Sequence, residues 1–253
     1  MKIVVLGAGN VATHLAWAFK ENGHDIAQVY SRTQLSAQAL ALQLDTDFCT
    51  LPSLLKNADI YIYALSDNAL ESVIQQVTIS SGIHAHTAGS ININIFEKKF
   101  ENYGVFYPLQ TFTKEQEVDF SNVPIFVEGN NEAVTETLFG LAKNLTQKPF
   151  IADSDKRIRL HIAAVFACNF TNYFYTLASD ILEKQSIPFE ILQPLILETA
   201  AKIQSVRPHD AQTGPARRND TKTIQKHIEM IENEDLNRLY ATLSGQISER
   251  YKI

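Results

Sequence analysis

The chain opens Met1-Lys2-Ile3-Val4-Val5-Leu6-Gly7-Ala8-Gly9-Asn10-Val11-Ala12-Thr13-His14-Leu15-Ala16-Trp17-Ala18-Phe19, and the reading of this stretch decides the fold. Ile3 to Leu6 is an unbroken apolar run, the pattern of a strand buried on both faces of a parallel sheet. Gly7-Ala8-Gly9-Asn10-Val11-Ala12 comes next without a spacer, and Val11, Leu15, Ala18 and Phe19 then recur at helical spacing. Strand, glycine turn and helix, in that order, form a dinucleotide-binding fingerprint. Gly7 permits the tight turn, Gly9 lets the backbone approach a pyrophosphate, and Ala12 in the third position still allows close packing of helix on strand. The free N–H groups and the positive end of the helix face the anion. Gly7, Gly9, Asn10 and Val11 are therefore assigned to the cofactor site.

Working outward, composition narrows the class. The 253 residues are 45% hydrophobic and 20% charged, which suits a soluble globular protein of one or two domains. A net charge of -6 gives no basic footprint for nucleic acid or an anionic membrane, and neither is expected as a partner. No apolar run approaches the ~20 residues of a membrane span. A signal peptide is not expected, because the first residues already read as strand one. The two cysteines, Cys49 and Cys168, lie far apart without metal-ligand spacing, so a reducing, cytoplasmic setting is expected. The seven histidines are scattered and no nucleophile elbow occurs, so neither a metal site nor a serine nucleophile is expected.

Along the first half, strand and helix signals alternate. Asn22-Gly23-His24 stops the first helix; Ile26 to Tyr30 reads as a strand, Thr33 to Leu44 as a helix, and Ile60 to Leu65 as a further strand, with a short candidate near Phe48. Ser66-Asp67 caps a helix from Asn68 to Val77; Ile83 to His86 is a strand ending in Thr87-Ala88-Gly89-Ser90. Tyr103 to Tyr107 and Pro124 to Val127 are strands separated by a polar insertion, Lys114 to Asn122, and Glu132 to Leu145 is a helix. This predicts an α/β class with a parallel, doubly wound Rossmann domain over residues 1–152. Strand signals then vanish. Arg157 to Gln185, Pro188 to about Val206, Thr221 to Glu232 and Asp235 to Arg250 read as helices, giving an all-helical domain over 153–253. Asp153, Asp155, Lys156 and Arg157 read as a charged helix start. The long helix carries Ile162, Val165, Phe166, Phe170, Phe174 and Leu177 around most of its circumference, which predicts burial against a second subunit and hence a homodimer.

NAD-binding units place an acid about 20 residues beyond the glycines, at the end of strand two, to hold the ribose hydroxyls. Here Tyr30-Ser31-Arg32-Thr33 stands there, and no acid lies between Ile26 and Ser36. Arg32 is a forked donor that suits a phosphate, with Ser31 and Thr33 as further donors, so NADP is expected as the cofactor; a solvated arginine beside a turn is the alternative. Leu65, Ser66 and Thr87 close strands at the carboxyl edge where ligands bind in open α/β sheets, and complete the cofactor set.

Three motifs carry a resemblance: Tyr107-Pro108-Leu109-Gln110-Thr111-Phe112, His161 through Asn169, and Thr213-Gly-Pro-Ala-Arg-Arg-Asn-Asp220. With the N-terminal glycine loop they resemble Rossmann-like NADP oxidoreductases carrying a C-terminal domain of unknown function. These fall within the superfamily of the β-hydroxyacid and 6-phosphogluconate dehydrogenases. The resemblance implies a C-terminal domain like that of 6-phosphogluconate dehydrogenase and covers nearly the whole chain. It also implies a site asparagine at Asn169, with a catalytic lysine four residues earlier. That position is Val165, which neither donates nor accepts a proton.

His161, Asn169 and Asn172 fall toward one face of the long helix and are the candidate catalytic groups, with His161 as the acid. A buried polar stripe bonded to backbone is the alternative. Gln110 and Thr111 offer neutral hydrogen bonds. Arg217, beside Arg218 in a Pro/Gly loop, suits a substrate carboxylate or phosphate, with a solvated loop as the alternative. Two functions fit these residues: an NADP(H)-dependent oxidoreductase acting on a small carbonyl or imine substrate, or a catalytically silent NADP(H)-binding sensor, which the valine at position 165 favours.

Overall fold

The computed structural model describes residues 1–251. Its sheet has eight strands: β1 (Lys2–Leu6), β2 (Asp25–Tyr30), β3 (Asp47–Cys49), β4 (Ile60–Tyr63), β5 (Ile83–His86), β6 (Tyr103–Pro108), β7 (Ile125–Gly129) and β8 (Pro149–Ile151), in the order β3-β2-β1-β4-β5-β6-β7-β8. Helices α1 (Asn10–Glu21), α2 (Gln34–Leu44), α3 (Asp67–Gln76) and α4 (Glu132–Leu145) cover its faces. The strand period of two explains how. Ile3 and Val5 enter a core shared with Leu15, Phe19, Leu40 and Leu138, while Val4 and Leu6 enter another with Tyr61, Tyr63, Leu70 and Phe96.

The sheet departs from all-parallel at one place. β7 pairs with β6 antiparallel, Phe106 opposite Val127, whereas every other pair is parallel. The reason lies in the insertion. No crossover helix separates β6 from β7, so the chain returns as a wide hairpin. His14 Nε2 meets the Thr113 carbonyl at 2.9 Å, and the Phe112 and Phe120 rings stack 5.9 Å apart.

After β8 a long helical run begins: α5 (Ser154–Ala164), a π-helical segment (Val165–Phe170) and α6 (Thr171–Glu183). The sequence pattern changes near residue 152, where β8 has just ended; compactness changes later. The chain gathers into one unit, Met1–Phe174, and a second from Tyr175 onward. α5 belongs to the first because Arg157, which reads in the sequence as part of a solvated charged start, is buried at 1% exposure. Its guanidinium pairs with Glu128 of β7, donates to the Ile91 carbonyl, and lies 3.2 Å from Ser154 Oγ. Ser154 Oγ also donates to Glu128 at 2.8 Å and accepts from Ile93 N at 3.0 Å. Asp153, Asp155 and Lys156 are exposed, as a charged helix start requires, and Asp153 caps the helix by accepting from Lys156 N at 2.8 Å.

The second unit is helical: α7 (Gln193–Lys202), a single turn α8 (Pro208–Ala211), α9 (Thr221–Met230) and α10 (Glu234–Arg250). His227 Nδ1 and Tyr240 Oη, 2.7 Å apart, join α9 to α10, and Ser248 Oγ donates to the Ala216 carbonyl at 2.9 Å.

Candidate active site

β1 lies between β2 and β4, so the chain direction across the sheet reverses there and a crevice opens at the strand ends. Gly7 sits at its floor with φ +133, donating to the Tyr30 carbonyl at 2.7 Å; a Cβ there would lie 2.2 Å from the Ala64 carbonyl oxygen. Only glycine meets both conditions. Gly9 differs. A Cβ on it would meet no protein atom within 4 Å, so its smallness leaves the first turn of α1 open to a ligand. Gly7, Gly9, Ser31, Arg32, Leu65 and Ser66 line one small concavity. Thr33 is the residue before α2 and is exposed. The donor set of backbone N–H groups, a hydroxyl and an exposed guanidinium fits a dinucleotide with a further phosphate.

Beside it lies a cleft of about 1050 Å³ within the same unit. Gly9, Asn10, Val11, Leu65, Ser66 and Thr87 form the cofactor-side wall, and His161, Cys168 and Asn169 the wall contributed by the long helix. Asn10 is already committed: its Nδ2 donates to the Phe112 carbonyl at 2.8 Å, tying α1 to the segment after β6. Gln110 is similarly engaged, Oε1 accepting from Thr111 N at 2.8 Å. Thr87 Oγ1 reaches the Tyr63 carbonyl only at 3.5 Å.

The structure brings two of the three helix candidates together, for a reason the sequence does not display. Eight α-helical steps would leave Asn169 about 80° from His161 around the axis. The π-helical segment adds a residue to the turn and rotates the next turn back by about 100°, so the two come to within ~20°. Both line the cleft; Asn172, one turn on, is not among its lining residues. In the widened turn the residue one turn before Asn169 becomes Ala164, a cleft residue, rather than Val165. Neither titrates.

His161 Nδ1 lies 3.0 Å from Tyr107 Oη, with the rings edge to face. Tyr107, the penultimate residue of β6, is buried at the edge of the cleft it helps to line. Burial raises its phenol above the ordinary tyrosine value, opposed by the positive charge of Arg157 and reinforced by Cys168. Sequence reasoning passes over Tyr107 as one member of a motif, since a buried strand tyrosine looks like core. Nearby, buried His86 accepts from Ala88 N at 3.2 Å on Nδ1 and is driven down to about 3, by burial first and by Arg157 second. Arg217, in the second unit, lays its guanidinium 4.6 Å from the centre of the Tyr251 ring. Among the described residues no group of His, Cys, Asp and Glu is arranged to hold a metal, and no helix is long and apolar enough to cross a membrane.

Comparison with known proteins fits this arrangement. A candidate NADP oxidoreductase of Bacteroides fragilis is 42% identical over 98% of both chains, with a TM-score of 0.92. The chain belongs to this family of Rossmann-fold NADP oxidoreductases. Residues 2–91 match the family described as NADP oxidoreductase, coenzyme F420-dependent, and 123–247 match a domain of unknown function, DUF2520. At the level of fold alone, the chain is similar to a Streptococcus pyogenes 1-pyrroline-5-carboxylate reductase, 16% identical over 100% of this chain and 98% of the other, TM-score 0.65. It is also similar to an Aspergillus terreus reductive aminase in complex with NADPH and ethyl levulinate, 16% identical over 98% and 94%, TM-score 0.73. No curated protein matches.

Proposed function

We propose that this family member is an NADP(H)-dependent reductase of a small carbonyl or imine compound. The observation that carries the proposal is the single cleft joining the glycine loop to His161 and Asn169. Gly7 and Gly9 receive the pyrophosphate; Ser31, Arg32 and Thr33 hold the 2′-phosphate; Leu65, Ser66 and Thr87 border the nicotinamide half. Asn10 and Val11 support that wall, Asn10 through its bond to Phe112. NADPH bound there supplies the hydride. His161 delivers the proton to the substrate oxygen or nitrogen as the neighbouring carbon is reduced, and Asn169 orients the substrate by hydrogen bonds. Asn172 and Arg217 are further candidates for substrate contact, Arg217 for an anionic group. Two solved proteins of the same fold that are named imine reductases favour a C=N bond.

A small molecule is the partner. Ile162, Phe166 and Phe170 on the long helix are 53%, 64% and 44% exposed, and a homodimer covering them is part of the proposal. Light scattering should return twice the 28.4 kDa chain mass. The two free cysteines fit a cytoplasmic setting, and the helical half after residue 152 is proposed as the substrate and dimer region.

The test is NADPH oxidation against a panel of cyclic imines and small ketones. With a turned-over compound, His161→Ala should lower kcat by about 10²–10⁴-fold and leave NADPH affinity unchanged. Full turnover in that variant removes His161 from the mechanism. Tight NADPH binding with no compound reduced supports the second reading, a silent NADP(H) sensor, which Ala164 and Val165 at the usual lysine's place favour.

A further inference from the structure

We infer that Tyr107 is a positioning residue that fixes which nitrogen of His161 serves the cleft. The inference rests on His161 being the proton donor proposed above, and it concerns how a neutral imidazole has a proton available there.

Three elements converge on the ring. β6 brings Tyr107, α5 brings His161, and the loop after β5 brings Gly89. A Cβ on Gly89 would lie 2.5 Å from His161 Nδ1 and 2.9 Å from Tyr107 Cζ. The seat therefore exists only because residue 89 has no side chain, and it holds the Nδ1 edge of the ring against the phenol. Arg157, one helical turn before His161, is locked by Glu128 and the Ile91 carbonyl, which fixes the helix on which the ring stands.

The Tyr107 phenol is buried, and its one hydrogen-bond partner among the described residues is His161 Nδ1 at 3.0 Å. A buried hydroxyl must place its hydrogen on an acceptor. The raised phenol keeps that hydrogen, so Tyr107 donates and the Nδ1 of neutral His161 accepts. The imidazole's own hydrogen then sits on Nε2, the nitrogen that Tyr107 and Gly89 leave unengaged, on a residue that lines the cleft. The donor is in place without the imidazole being charged, as for the neutral electrophilic histidine of triosephosphate isomerase.

The proton balance is complete. Hydride adds to the substrate carbon and the electron pair of the C=O or C=N bond moves to the heteroatom. The heteroatom takes the Nε2 proton as Nδ1 takes the phenol proton; water in the cleft then reprotonates Nε2, and Nδ1 returns its proton to the tyrosinate, restoring the starting state. Besides the pair itself, the charged or titratable groups acting on Tyr107 are Arg157, which favours tyrosinate, and Cys168.

The experiment is two-bond ¹H–¹⁵N correlation on the full chain labelled with ¹⁵N-histidine, at a pH where His161 is neutral, its signals assigned by their loss in His161→Gln. The expected result is an unprotonated Nδ1 and a protonated Nε2. Tyr107→Phe keeps the ring and removes the hydroxyl, and should convert this single tautomer into a mixture. Gly89→Ala should disperse it as well, by displacing the ring. Protonated Nδ1 in the parent chain overturns the inference even if every variant misfolds. A tautomer unchanged in folded Tyr107→Phe overturns it too. Because the readout needs no turnover, an absence of reductase activity sinks the proposed function and leaves this assignment to be judged on the spectrum. With a turned-over compound, Tyr107→Phe should lose part of the about 10²–10⁴-fold that His161 contributes, in kcat with KM unchanged.

Discussion

Replacing Arg157 by methionine should destabilise the first unit severely. The side chain is 1% exposed and its partner Glu128 15% exposed, so the change leaves a carboxylate in a dry place without its cation. The Ile91 carbonyl and Ser154 Oγ lose a donor as well. Breaking a buried pair from one side costs about 3–5 kcal/mol, most of it the penalty on the abandoned charge. For a unit of this size each kcal/mol shifts the melting temperature by about 2–4 °C, so a fall of about 6–20 °C is expected. The assay is thermal melting by circular dichroism of the parent, Arg157→Met, and Arg157→Met combined with Glu128→Gln. The double variant removes the stranded charge and should recover a large part of the loss, because replacing both members of a buried pair is often nearly neutral. A single variant melting within about 2 °C of the parent would refute the reasoning, since that is below what 1 kcal/mol produces here. So would a double variant no better than the single, which would mean that the arginine acts through its volume and not its charge.

Arg32→Ala should weaken NADPH binding and leave NADH binding nearly unchanged, a differential of about 1.5–3 kcal/mol for a charged hydrogen bond; equal losses by calorimetry would show that Arg32 does not read the phosphate. The two glycines should separate: Gly9→Ala keeps the parent melting temperature and loses cofactor affinity, whereas Gly7→Ala, meeting the Ala64 carbonyl at 2.2 Å with φ +133, loses stability first. His84 and His86 are both depressed to about 3 by burial, so they stay neutral in the fold while the unfolded chain takes protons below its ordinary value near 6.5. Stability should therefore fall as pH drops from about 6.5 toward 3, each histidine removing up to about 1.4 kcal/mol per pH unit; a urea midpoint equal at pH 7 and pH 5 would contradict this.

Much of the fold was legible because its signals are local. Apolar runs such as Ile3–Leu6 need no partner to be recognised as buried strands, and the glycine turn states its geometry in its own residues. The antiparallel β7 was not, because direction depends on whether a crossover helix intervenes, and the insertion after β6 reads simply as polar loop. Arg157 misleads for a related reason. A charge at a helix start looks solvated until Glu128, 29 positions earlier, is known to stand opposite it. The site divides the same way. The proposed cofactor residues follow the ends of β1, β2, β4 and β5, which the strand signals mark, but Tyr107 and Gly89 acquire meaning only beside His161, and no spacing rule links a strand end, a loop and a helix.

The π-helical segment shows how a local backbone choice alters a chemical inference. On α-helical counting, Val165 occupies the place of the superfamily's lysine, and the chain looks stripped of acid–base chemistry. The wider turn moves the counterpart of that place to Ala164 and swings Asn169 toward His161, so the cleft's polar groups on this helix become the histidine and the asparagine. The acid–base function is then sought one turn further toward the helix start, on a residue held by Tyr107 from the sheet rather than by helix neighbours. A lysine donates as a cation. A histidine whose Nδ1 is occupied by a phenol donates from Nε2 while neutral, and adds no fixed positive charge to the cleft. That difference suits a neutral reducible group better than a hydroxyacid.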